Sequence, residues 1–153
     1  MSPSTKAARA KRPAADPAAA ADDELAAQWH DLMGRYHRVT CALDRALSAQ
    51  HGITVSDFEV LQQLHGAAGD GMVRMHELGD RVHLTQSALS RLISRLERDG
   101  LVERGICEDD RRSAWTRITH AGGACFLAAK PTQRAILRDE SGATGSSCTA
   151  TAD

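Results

Sequence analysis

A chain of 153 residues, 42% of them apolar, is long enough for one domain with a real core. Its 19 basic residues against 20 acidic ones exclude a general polyanion binder, so any nucleic-acid contact has to rest on locally placed cations. Four cysteines at positions 41, 107, 125 and 148 form no Cys-x-x-Cys pair, which argues against a disulfide framework and for a reducing cytoplasm; no run nears the roughly 18 apolar residues of a membrane span.

Residues 1–22 are Ala, Pro and Ser with Lys6, Arg9, Lys11 and Arg12 and no large apolar residue after Met1, the composition of a disordered arm. Its basic residues lack the apolar stretch of a signal peptide. A domain is then expected over residues 23–140. Leu25, Trp29, Leu32, Tyr36, Val39, Leu43 and Ala46 recur in steps of four and three, an almost heptad stripe that Met33 and Leu47 widen and Gly52 ends. Such a stripe covers the domain's own core or meets a partner helix; the pattern alone leaves both open. Cys41 lies on this helix with Arg38 and Arg45 at i−3 and i+4, a cationic setting that would activate a thiol for redox chemistry. The bland alternative is a cysteine buried as a small apolar residue.

Ser56-Asp-Phe-Glu59 reads as a capping box, with Val55 and Val60 as a hydrophobic staple and Phe58, Leu61 and Leu64 facing inward. Met72 to Met75 suits a short edge strand. Met75 to Val82 is a short helical pattern with Leu78 and Val82 inside, and His83-Leu84 makes a tight connection into Thr85. From there Leu89, Leu92, Ile93 and Leu96 fall at i, i+3, i+4 and i+7, one apolar stripe on a period of about 3.6 residues. Ser87, Arg91, Ser94 and Arg98 lie opposite, flanked by Ser90 and Arg95. Thr85 serves as N-cap and Gly100 as the left-handed residue that closes the helix. Short hydroxyls let a helix approach a groove, and Arg grips phosphate or the guanine edge. Taken alone, the same face is equally that of a solvated core helix.

The surroundings decide between these readings. Two helices joined by a short turn are followed by strand-like runs, Leu101–Ile106 and Ala114–Thr119, with a polar tip between them. That order is a winged helix-turn-helix. Leu89 to Arg95, the Asp99-Gly-Leu-Val-Glu-Arg104 exit, Asp110-Arg-Arg112 and Ile118-Thr-His-Ala-Gly122 together resemble the MarR family of bacterial transcription regulators, over about Trp29 to Arg138.

The resemblance implies a mainly α fold with a small β-hairpin, a DNA-binding lobe at about 54–120, and long N- and C-terminal helices that form a homodimer. It implies binding to double-stranded DNA at a pseudo-palindromic site through Gln86, Ser87, Ser90, Arg91, Ser94 and Arg95, with Arg111 and Arg112 in the wing and Asp110 orienting an arginine. Arg95 and Arg98 are open between phosphate contact and pairing inside the protein. From Val73 to Thr119 there are nine Arg and eight acidic residues, so binding would depend on where the cations stand. The family also suggests a small aromatic or anionic effector, which Trp29, His30, Met33, Tyr36 and His37 could meet; ordinary core filling is the competing reading for each.

Seven histidines include two pairs spaced by seven, His30/His37 and His76/His83, but no ligand set for a metal emerges, no cofactor is expected, and no catalytic constellation points to an enzyme. After Thr119 a further helix is expected, kinked by Pro131. Residues 141–153, rich in Ser, Thr, Ala and Gly, read as a polar, disordered tail where the family continues into an apolar helix, so the dimer is expected to be weakened. The alternative function is a winged-helix protein-interaction module, or a shortened relative with impaired dimerisation and DNA binding.

Overall fold

The computed structural model describes residues 17–67, 71–106 and 114–145. They form five helices and three short strands: α1 (Pro17–His51), α2 (Val55–His65), β1 (Val73–Arg74), α3 (Met75–Val82), α4 (Gln86–Arg98), β2 (Val102–Ile106), β3 (Ala114–Ile118) and α5 (His120–Gly145). By internal contacts the chain divides at Tyr36/His37.

Residues 17–36 are the first part of α1. The helix starts earlier than composition suggested: Pro17 suits a first helical position, and Ala18 to Ala21 are the best helix formers. Along this part Leu25, Trp29, Leu32, Met33 and Tyr36 all stand exposed, and Gln28 Nε2 donates to Glu24 Oε1 at 3.0 Å one turn away.

In the second unit, Leu43 and Leu47 carry the stripe of α1 into a core shared with Phe58, Leu61 and Leu64 of α2, Leu78 of α3, Leu89, Ile93 and Leu96 of α4, and Phe126 of α5. Gly52 ends α1 at φ +68, the left-handed region a residue with a side chain rarely adopts. The capping box of α2 sits two residues earlier than Ser56/Glu59. Thr54 Oγ1 accepts from Asp57 N, and Asp57 Oδ2 accepts from Thr54 N at 2.9 Å. The earlier start is held by Asp44 Oδ1, which accepts from Val55 N at 2.7 Å and so satisfies a first-turn donor. Ile53 and Phe58, both buried, thereby take the staple positions in place of Val55 and Val60.

Strand β3 is central in an antiparallel sheet of order β1-β3-β2, with Val73 opposite Thr116 and Gly105 opposite Trp115. The edge strand expected at Met72 to Met75 joins the hairpin, reduced to two residues because Met75 already belongs to α3. Thr119 precedes helix α5 and its Oγ1 accepts from Gly122 N at 3.0 Å; the helix contains Pro131 within it. It continues to Gly145, so residues 141–145 are helical where a disordered tail was expected; residues 146–153 lie outside the described part.

Candidate nucleic-acid interface

Helix α3 ends at His83, which adopts φ 54 and ψ 36, and Leu84 N donates to Gly79 O at 3.1 Å. This left-handed residue reverses the chain tightly enough to set α4 against α3, the packing of a helix-turn-helix. Thr85 caps α4 by accepting from Ala88 N at 3.3 Å. At the far end Gly100, at φ +72, lets Leu101 N return to Leu96 O at 2.9 Å.

The buried residues of α4 are the four apolar ones read from the sequence, Leu89, Leu92, Ile93 and Leu96. Gln86, Ser87, Arg91, Ser94, Arg95 and Arg98 are exposed, and Ser90 is half-buried. Arg91, Arg95 and Arg98 line an open cavity of about 530 Å³ together with Asp44, Thr54 and Ser56. Arg91 and Arg98 have no ion-pair partner among the described residues, whereas Arg95 Nη2 donates to Asp57 Oδ1. Arg95, a candidate DNA contact by sequence, is thus engaged inside the protein. Next to α4, Arg104 of β2 pairs with Glu97 at 3.1 Å, and Arg117 of β3 pairs with Glu103 and lies over the Trp115 ring at 5.8 Å. These pairs hold the sheet's cations in place. Asp110, Arg111 and Arg112 lie outside the described residues.

The sequence pattern of the MarR family matches residues 51–113. AbsC, a MarR family transcriptional regulator from Streptomyces coelicolor, shares 29% identity over 74% of this chain and 76% of its own, with a TM-score of 0.68. A second MarR family transcriptional regulator of that organism, solved in complex with DNA, shares 26% identity over 76% of this chain and 73% of its own, with a TM-score of 0.71. Over residues 51–113 the chain is thus similar to the MarR family, and the fold around them is that of its solved members. The transcriptional regulator BldR from Sulfolobus solfataricus shares 25% identity over 76% of this chain and 81% of its own, with a TM-score of 0.69. Among curated proteins no significant sequence match was found.

The other residues singled out from the sequence are placed differently. Trp29, His30, Met33, Tyr36 and His37 all lie exposed along α1. A second cavity in the second unit, of about 380 Å³, is lined by His51, Asp57, Arg95, Asp99 and Cys125 among others. Cys41 is exposed, not buried as a small apolar residue, and its Sγ stands 3.7 Å from His37 Nε2 one turn back. Cys125 is half-buried; burial first, and the Asp57 carboxylate second, push its thiol above the ordinary range. No helix of the described residues is long and apolar enough to cross a membrane.

Sequence reasoning missed Asp57 and Asp44. Both contribute through tertiary contacts, to Arg95 and to Val55 N, that periodicity does not display. The Thr54-x-x-Asp57 spacing was the one available signal for Asp57, and it competes with Ser56-x-x-Glu59 two residues later.

Proposed function

We propose that this chain regulates transcription by binding a pseudo-palindromic DNA site as a homodimer, with Gln86, Ser87, Ser90 and Arg91 of α4 nearest the bases and Ser94 and Arg98 toward the backbone. The observation that carries the reading is the division of α4 into a fully apolar buried stripe and an exposed face of short polar side chains and arginines, with Arg91 unpaired among the described residues. A major groove admits a helix of this kind, and a guanidinium recognises guanine by two hydrogen bonds. In the wing, Arg111 and Arg112 would reach the adjacent groove or its phosphates, with Asp110 orienting one of them.

The exposed stripe of α1, with Leu25 at 63%, Trp29 at 63% and Tyr36 at 64% exposure, supports a second copy as partner. A two-fold assembly doubles the base contacts and the counterions released. The same rings are what a small aromatic or anionic effector would stack on, so release by such a ligand is the finer part of the reading.

The test is fluorescence anisotropy with DNA duplexes selected from a randomised pool by the full-length chain. Arg91→Ala should weaken the preferred duplex by about 1–3 kcal/mol and relax sequence preference. Failure of the wild-type chain to enrich any duplex would remove the DNA-binding reading in favour of a winged-helix interaction module.

A further inference from the structure

Asp57 is only 3% exposed, and its two oxygens do different work. Oδ2 accepts from Thr54 N at 2.9 Å and from Thr54 Oγ1 at 2.8 Å, which completes the cap of α2. Oδ1 is not needed for that cap and takes the guanidinium of Arg95 instead. The carboxylate therefore joins the first turn of α2 to the third turn of α4. The remaining anchors of α4 in the core are Leu89, Leu92, Ile93 and Leu96, whose burial is strong but non-directional and tolerates a small roll about the helix axis. A charged hydrogen bond to a buried carboxylate is directional, and it is the kind of contact that fixes a register.

The surroundings of Arg95 sharpen the point. Arg95 and Thr54 line both cavities, the one of about 380 Å³ and the one of about 530 Å³. With open space on two sides, packing does little to hold the guanidinium, and Asp57 is its anchor. Arg91 and Arg98, one turn either side of Arg95, face the larger cavity and have no ion-pair partner among the described residues. One arginine of the three is thus withheld.

We propose that Asp57 is a positioning residue for DNA recognition: by gripping Arg95 from the cap of α2, it sets the roll of α4 and keeps the Arg95 guanidinium off the DNA. Gln86 and Ser87 lie about 13 Å along the helix from Arg95 at 1.5 Å per residue. A few degrees of reorientation at the anchor would displace them from base edges. The inference rests on the DNA-binding reading above.

The test measures anisotropy across a range of salt for the full chain on two probes, the duplex selected by the wild type and a scrambled duplex of the same length. Asp57→Asn keeps an acceptor for Thr54 but turns a neutral amide toward Arg95; Arg95→Gln leaves the α2 cap intact and carries the test if Asp57→Asn does not fold. Each should lower affinity for the selected duplex roughly tenfold, with the double variant no worse than the weaker single one, as expected of two residues acting through one contact. In Arg95→Gln, affinity for the scrambled duplex and the salt slope should stay at wild-type values; in Asp57→Asn, which frees the guanidinium, scrambled-duplex affinity should be equal or higher. A salt slope reduced by about one in Arg95→Gln on both duplexes would make Arg95 a phosphate contact and overturn the proposal. So would weaker scrambled-duplex binding by Asp57→Asn, or an unchanged ratio between the duplexes in a folded variant. If the wild type enriches no duplex, it is the DNA-binding reading that has failed, and the two failures are distinguishable.

Discussion

Two adjacent glycines at the start of α5 should respond to the same substitution with opposite signs. Helix propensity alone favours alanine over glycine by up to about 1 kcal/mol at either position. A Cβ on Gly123 would find its nearest heavy atom, His65 Nδ1, at 3.9 Å, which is ordinary contact. Gly123→Ala should therefore stabilise the chain by about 0.5–1 kcal/mol. A Cβ on Gly122 would overlap the carbonyl oxygen of Leu101 and approach Ile118 Cγ1 to 2.9 Å. The obstacle is backbone, and it cannot rotate away. That carbonyl also accepts from Thr119 N at 3.1 Å, so displacing it disturbs the joint where β2 begins and α5 starts. Overpacking costs about 1–3 kcal/mol and a disturbed hydrogen bond about 1 kcal/mol. Set against the propensity gain, Gly122→Ala should destabilise by about 1–3 kcal/mol. Urea unfolding followed by circular dichroism gives both values, with equal slopes required for a fair comparison. Shifts of the same sign would refute the close approach of α5 to Leu101.

The other predictions concern assembly and ionisation. Leu32, 56% exposed in the middle of the α1 stripe, should be a contact between copies; Leu32→Asp should turn a dimer that dissociates in the micromolar range into a monomer at all accessible concentrations by light scattering, and an unchanged mass would exclude the stripe as the interface. Glu59 is exposed, yet partial desolvation on α2 raises its carboxyl above its usual 4.5, partly countered by His83. A raised folded-state value means the ionised form is disfavoured by folding, so this group's cost is present at neutral pH and fades as pH falls through the raised value. Glu59→Gln should accordingly raise the melting temperature at pH 7, with the gain shrinking toward pH 4.5; a gain that grows on acidification would contradict the sign. In a background with Cys107 and Cys148 replaced by Ser, the exposed Cys41 should alkylate with iodoacetamide well before the half-buried Cys125, whose rate should still be climbing above pH 9.0. Equal rates at pH 7 would show that Cys125 is not protected.

How far the sequence could be read depended on whether the decisive interactions repeat along the chain. The stripe of α4 was legible because burial on one face of a helix imposes its period on the residues themselves, and Leu89, Leu92, Ile93 and Leu96 are buried in the positions that period requires. Thr85 and Gly100 were legible because a cap and a left-handed turn are local demands, met by residue types with few substitutes. The order helix, turn, helix, strand, strand then sufficed to name the fold.

Only the tertiary structure could separate the apolar residues of α1 that a single chain covers from those it leaves bare. Leu43 and Leu47 are buried, while Leu25, Trp29 and Tyr36 in the same stripe are exposed, because periodicity records that a face is apolar and not what lies against it. The same holds for the charges. Arg91, Arg95 and Arg98 look equivalent as guanidinium groups on one polar surface, yet Arg95 alone meets a buried carboxylate, 38 residues away in sequence. Hydrogen bonds across that separation depend on where two helices come to rest, and that is set by the packing of the core between them.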